Sequence, residues 1–173
     1  MRLLPTTLLA AGTLALVAAA PTAGATRTST RTPTCRTSNL HVALAASPGG
    51  QAAGSTFELL TFTNTGKASC AMVGFPGVSF VTGPNGRQVG AAAQRTAGVA
   101  VRRVVLAPRA RAVATLRVAH AADFPPTRCR AQKVAGLRVF PPNTRTTAFV
   151  SRRGFACSMR VARQLSVTAV SAA

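Results

Sequence analysis

Cys35, Cys70, Cys129 and Cys157 are the only cysteines of the chain, and all four lie downstream of a segment patterned like an export signal. An even set of thiols matured outside the cytosol oxidises into structural bridges. The fold must therefore bring these positions together in pairs. Four thiols allow three pairings. Cys35–Cys70 with Cys129–Cys157 is favoured, because each pair brackets a compact stretch of strand and turn. A thiolate zinc site is the rival reading. It needs closely spaced ligand pairs, whereas the chain has no Cys-x-x-Cys, and His41 and His120 are remote from the cysteines in sequence.

The export signal begins with Met1-Arg2 and continues in an apolar run, Leu8 to Ala20, interrupted only by Gly12-Thr13. Pro21 ends any helix there, and Ala23-Gly24-Ala25 supplies the small residues for cleavage after Ala25. The run is shorter than the roughly 18 to 20 residues that span a bilayer. No cysteine follows it directly, so a lipoprotein anchor is not expected, and no later segment reads as a membrane span. Residues 26–34, TRTSTRTPT, hold no large apolar side chain and read as a flexible leader whose threonines leave room for sugar attachment. Residues 35–173 then form one domain of ordinary size.

Within that domain short β-type runs alternate with Gly/Pro/Asn punctuation. The expected strands are 39–45, stopped by Pro48-Gly49-Gly50; 56–63, closed by Asn64-Thr65-Gly66; 78–82; 99–106; 110–119; 136–140; 146–150; and 164–170. Ala114, Leu116 and Val118 alternate with Val113, Thr115 and Arg117, and Leu137 and Val139 oppose Arg138. This two-residue period marks half-buried strands with their arginines in water. Between Phe57 and Phe62 both faces carry bulk, so the pattern leaves open which face is inward. Helical periodicity and internal repeats are lacking. Seven to nine strands predict an all-β, antiparallel two-sheet sandwich of immunoglobulin-like type held by two disulfides.

Leu59-Leu60-Thr61-Phe62-Thr63-Asn64-Thr65-Gly66 running to Cys70, then Gly74-Phe75-Pro76-Gly77-Val78, Leu106-Ala107-Pro108 and Leu137-Arg138-Val139-Phe140-Pro141-Pro142, resemble a known family. It is a secreted family of GC-rich Gram-positive bacteria, catalogued as a domain of unknown function and numbered four-two-three-two. The resemblance extends from about Cys35 to Val170. It implies a β-sandwich with paired cysteines, often behind a signal or lipoprotein leader and a Ser/Thr-rich linker. Ala107-Pro108-Arg109-Ala110 departs from the family's Pro-Gly pattern, which touches only that turn. The resemblance carries no activity, cofactor or catalytic residue.

The chemical inventory is sparse. Against 21 basic side chains, all but Lys67 and Lys133 arginines, stand Glu58 and Asp123, for a net charge of +19. His120 and Asp123, three apart, would need a serine such as Ser47 or Ser79 to complete a triad. The strand end before Pro125-Pro126 is instead an ordinary place for an exposed polar loop. Nucleophile elbows, metalloprotease helices and phosphate-cradling loops are missing, so an enzyme is not expected. Nor is a cofactor or metal: calcium sites need several oxygen ligands. With neither Trp nor Tyr and only eight Phe, platforms for sugars or bases are scarce.

Charge is what remains. Arg102, Arg103, Arg109, Arg111 and Arg117 fall on two adjacent predicted strands and their turn, a candidate anion-binding cluster for teichoic acid, acidic lipid surfaces or nucleic acid, without sequence-specific recognition. A uniformly basic, solvated surface is the plainer alternative, favoured by the arginines on every strand and by the codon bias of GC-rich genomes. Phe75 is a candidate contact, although Gly-Phe-Pro-Gly-Val has the residues of a bend entering a strand. The function expected is a secreted, non-enzymatic envelope or extracellular binding or structural module. Anionic-polymer binding is the first alternative, and a hydrolase using His120 and Asp123 the lesser one.

Overall fold

The computed structural model describes residues 31–173. The export signal, the cut after Ala25 and most of the leader lie outside the described residues. In chain order the strands are β1 (Leu40–Ala52), β2 (Ser55–Asn64), β3 (Cys70–Val73), β4 (Gly77–Val81), β5 (Gln88–Val89), β6 (Gln94–Arg95), β7 (Arg103–Leu106) and β8 (Arg111–Ala119). One helical turn, α1 (Pro126–Cys129), precedes β9 (Ala131–Phe140), β10 (Ala148–Cys157), β11 (Leu165–Val167) and β12 (Ser171–Ala172). No helix among the described residues is long and apolar enough to cross a membrane.

The strands form two principal sheets, as the alternation predicts, and a third, two-stranded one. The larger has the order β1-β2-β8-β11-β6, with β12 also on β8; the second is β10-β9-β4-β5; the third pairs β3 with β7. All pairings are antiparallel except β11 with β6. Leu60, Phe62 and Leu116 from the first sheet, Phe80, Leu137 and Val139 from the second, and Met72 and Leu106 from the third share one buried apolar cluster. Each such side chain contributes about 1.5 to 3 kcal/mol by leaving water. The ambiguous β2 run is thereby resolved: Leu60 and Phe62 are buried, while Phe57 and Leu59 stay half-exposed.

Strand boundaries differ from expectation where turn residues serve another purpose. Pro48-Gly49-Gly50 does not stop β1. The register slips between Ala46 and Gln51, so the motif is a bulge in an edge strand, where a residue without an N–H is tolerated. Gly49 has φ +65°, and a Cβ on Gly50 would lie 2.5 Å from the Phe57 carbonyl oxygen. The hairpin turns at Ala53-Gly54 instead. Of the run 99–106 only Arg103–Leu106 is strand, because β7 has just the four residues of β3 to pair with. β10 runs on from the expected 146–150 to Cys157 through a register shift between Ser151 and Gly154.

Ordered structure also begins before Cys35. Ala71 N–H donates to the Pro33 carbonyl, Cys35 N–H donates to that of Ala71, and Thr34 bridges Ala71 in parallel. Two polar ties cross between the principal sheets. Gln164, buried, accepts from Cys157 N–H at 2.9 Å and donates to the Ala119 carbonyl at 2.9 Å. Arg152 Nε donates to Glu58 Oε2 at 2.8 Å, both side chains under 20 % exposed, with the guanidinium 5.6 Å from the Phe80 ring centroid. Half of the chain's carboxylate complement is thus consumed inside the sandwich.

Candidate functional site

His120 and Asp123 do meet. His120 follows the last residue of β8, and Ala121–Asp123 forms a 3₁₀ turn that folds the carboxylate back. His120 Nδ1 and Asp123 Oδ2 are 3.8 Å apart, and each side chain is about half exposed. On the opposite ring nitrogen, Thr56 Oγ1 lies 3.1 Å from His120 Nε2. The hydroxyl facing the imidazole therefore belongs to a threonine on β2, not to Ser47 or Ser79. Pairing explains the placement: Thr56 opposes Val118, and His120 N–H donates to the Gly54 carbonyl at the hairpin turn. Thr56 was legible only through strand register, which the sequence pattern left open. A histidine between a hydroxyl and a carboxylate has the order of a nucleophilic relay. Here the carboxylate is beyond hydrogen-bond length of the ring, and neither cleft described below is lined by these residues.

The five candidate arginines are not gathered as their sequence spacing implied. β7 and β8 flank a turn but belong to different sheets, so Arg103 and Arg111 lie on separate β surfaces. Arg111 and Arg117 share the outer face of β8, six residues or about 20 Å apart. Arg109 sits in the turn with φ +67°, its N–H donating to the Asn64 carbonyl. Arg103 donates to the Thr32 carbonyl and so fastens the segment entering the domain. Arg102 is exposed in the preceding loop. The physical reason is topological: β7 is drawn to β3, and β8 to β2.

Among the described residues, two of the surface clefts stand out by their lining. The larger, about 680 Å³, lies between residues 34–38 and 143–148. Its hydroxyls already bond across it: Thr146 Oγ1 donates to Thr37 Oγ1 at 2.8 Å, and Thr37 Oγ1 to the Thr146 carbonyl at 3.1 Å. The smaller, about 370 Å³, is lined by Thr82, Lys133, Arg153 and Phe155 together with Val134, Ala135 and Gly154. Phe75, the other candidate contact, is half-buried, with the Arg95 guanidinium 5.4 Å from its ring centroid. No group of three or more His, Cys, Asp or Glu gathers in metal-binding geometry among the described residues.

The cysteines close as Cys35–Cys70 and Cys129–Cys157, with Cα–Cα distances of 4.8 and 4.3 Å, and no free thiol remains. A family model described as Domain of unknown function (DUF4232) matches residues 35–171. The chain belongs to the DUF4232 family. No curated protein and no solved structure matches it.

In this DUF4232 domain the two most specific motifs have structural roles. Asn64 of Thr-Asn-Thr-Gly is buried and fully bonded: Nδ2 donates to the carbonyls of Ala68 (2.9 Å) and Leu106 (3.0 Å), and Oδ1 accepts from Gly66 N–H (2.9 Å). One amide thereby folds the loop leading to Cys70 and anchors the end of β7. In Gly-Phe-Pro-Gly-Val, Gly74 takes φ +100°, which favours glycine, and its carbonyl accepts from Val170 N–H. The bend carries the chain from β3 in the third sheet to β4 in the second.

Proposed function

We propose that this DUF4232 chain is an exported, non-enzymatic binding or structural module of the cell envelope, built on an immunoglobulin-like sandwich. The observation that carries the reading is that all four cysteines are closed in pairs. Such bonds persist in oxidising compartments and are rare in the cytosol. The signal-like sequence at residues 1–25 and the flexible-leader composition after it support export. The non-enzymatic part is supported by the Thr56–His120–Asp123 geometry: the carboxylate stands too far to orient the ring, and a threonine replaces the expected serine. The hydrolase reading predicts otherwise. An esterase or peptidase signal abolished by both His120→Ala and Thr56→Val would establish it in place of the proposal.

Expression behind the native N-terminus is expected to deliver a mature protein starting at Thr26, with no thiol alkylated before reduction. Intact mass and alkylation of natively purified protein measure both. A protein retained with Met1 and four reactive thiols overturns the reading. Attraction to anionic polymers through Arg102, Arg103, Arg109, Arg111 and Arg117 is the second reading, supported by the excess of base over acid. Their dispersal over two sheets favours weak, salt-sensitive association over a dedicated pocket. Retention on teichoic acid or DNA should then fall steeply as salt rises, and no retention at low salt removes this reading.

A further inference from the structure

Beyond its bulge the β9–β10 ribbon groups two cationic side chains with an exposed aromatic ring and no acid. Along β10, Phe149, Ser151, Arg153 and Phe155 are all exposed, Phe155 to 57 % and Phe149 to 36 %. Across the ladder Phe155 is paired with Lys133, whereas the Phe149–Arg138 pair, five β9 residues away and beyond the inserted residue, faces the other side of the ribbon. A bulge interrupts the ladder here. The register shift between Ser151 and Gly154 inserts one extra residue opposite Ala135; Arg152 reaches Glu58 inside the sandwich and its neighbour Arg153 is exposed. Bulges re-aim side chains in this way beside binding sites. The ion pairs among the described residues are Arg152–Glu58 and His120–Asp123, so Lys133 and Arg153 have no carboxylate partner. These two cations, Phe155 and Thr82 line the cleft of about 370 Å³.

We infer that this cleft binds an acidic saccharide polymer. The Lys133–Arg153–Phe155 cleft seats one anionic sugar unit. The inference rests on the reading of the domain as a binding module and names its ligand class and site. A phenylalanine ring offers an apolar platform for the C–H face of a sugar. An ammonium and a guanidinium beside it meet the carboxylate or phosphate, and the threonine hydroxyl meets a sugar hydroxyl. Charge complementarity selects an anionic chain, and the concave seat beside Phe155 favours a polymer over a flat lipid surface. The site is separate from the Arg102–Arg117 set, none of which lies on β9 or β10.

The test is titration of the full domain at low salt with oligogalacturonate, with poly(ribitol phosphate) in a parallel arm to tell carboxylate from phosphate. Inorganic polyphosphate supplies charge without sugar faces. Phe155→Ala is expected to weaken binding of at least one acidic saccharide by about tenfold, the size of one stacking contact, and to change polyphosphate binding by less than about twofold. Lys133→Gln with Arg153→Gln should weaken both by about tenfold. All three positions border solvent, so unchanged melting confirms intact fold, and Phe155→Leu, which keeps bulk without a ring, isolates the aromatic contribution. Saccharide binding untouched by these substitutions but lost when the five candidate arginines become glutamine overturns this site and leaves the binding-module reading standing. An absence of saturable binding to either saccharide overturns the proposal, and failure of polyphosphate as well removes the electrostatic reading with it.

Discussion

Removing both disulfides is expected to unfold the domain under conditions where the wild type is native. The bridges close loops with separations of 35 and 28 residues. In the chain-entropy account each withdraws about 4 kcal/mol of freedom from the unfolded chain. Together they match much of the roughly 5 to 15 kcal/mol that stabilises a domain of this size. Cys35→Ala/Cys70→Ala and Cys129→Ala/Cys157→Ala are the informative variants, because the sulfurs are buried and serine would add an unpaired hydroxyl. The two losses should differ in reach. Cys35–Cys70 ties the Pro33–Cys35 segment to β3, beside the main core. Cys129–Cys157 ties α1 to the end of β10 around a small satellite cluster with Ala162. Its removal should therefore also expose residues 121–130 to protease before global unfolding. Urea titration reports the first effect as a lowered midpoint and timed proteolysis the second. A shift in midpoint worth less than about 1 kcal/mol for either variant would contradict the bracing role.

Asn64→Ala is expected to cost about 3 kcal/mol, as large as many core truncations, although it removes only a carboxamide. The substitution orphans the carbonyls of Ala68 and Leu106 and the N–H of Gly66 in a place with almost no water access. Asn64→Asp should be worse. It keeps the acceptor facing Gly66 but turns a second oxygen, and a charge, toward two carbonyl oxygens. An Asp variant as stable as the alanine variant in denaturant titration would show that the loop relaxes away from the amide. The structural reading of Thr-Asn-Thr-Gly would then fail.

Much of the strand content was legible because alternation depends only on which side chains leave water. In β8, Ala112, Ala114, Leu116 and Val118 are buried as their period requires. The cysteine pairing was readable from spacing because each bridge encloses one compact stretch. Register was not legible. A slip of one residue exchanges faces, and nothing local to β2 says whether Phe57 or Phe62 points inward. Turn residues misled for a related reason: Pro48-Gly49-Gly50 bends a strand as well as it ends one. The outcome is set by whether a neighbouring strand continues past it, as β2 does.

The same division holds at the candidate sites. His120 and Asp123 lie on one short turn, so their meeting followed from spacing of three, whereas Thr56 arrives through pairing with β8. The arginines of 102–117 read as one cluster because they are near in sequence, and strand choice separated them. The Phe155–Lys133–Arg153 grouping has no sequence signature: its members come from two strands, and only the register brings Phe155 opposite Lys133.

Local chemistry in the chain determined its alternating strands, its covalent ties and its poverty in acids, since each depends on residue type and short spacing alone. Tertiary structure decided which strands pair, which face of β2 is core, and which cations stand beside an aromatic ring. Those outcomes depend on contacts between segments tens of residues apart, whose pairing is chosen by the burial of the whole sandwich.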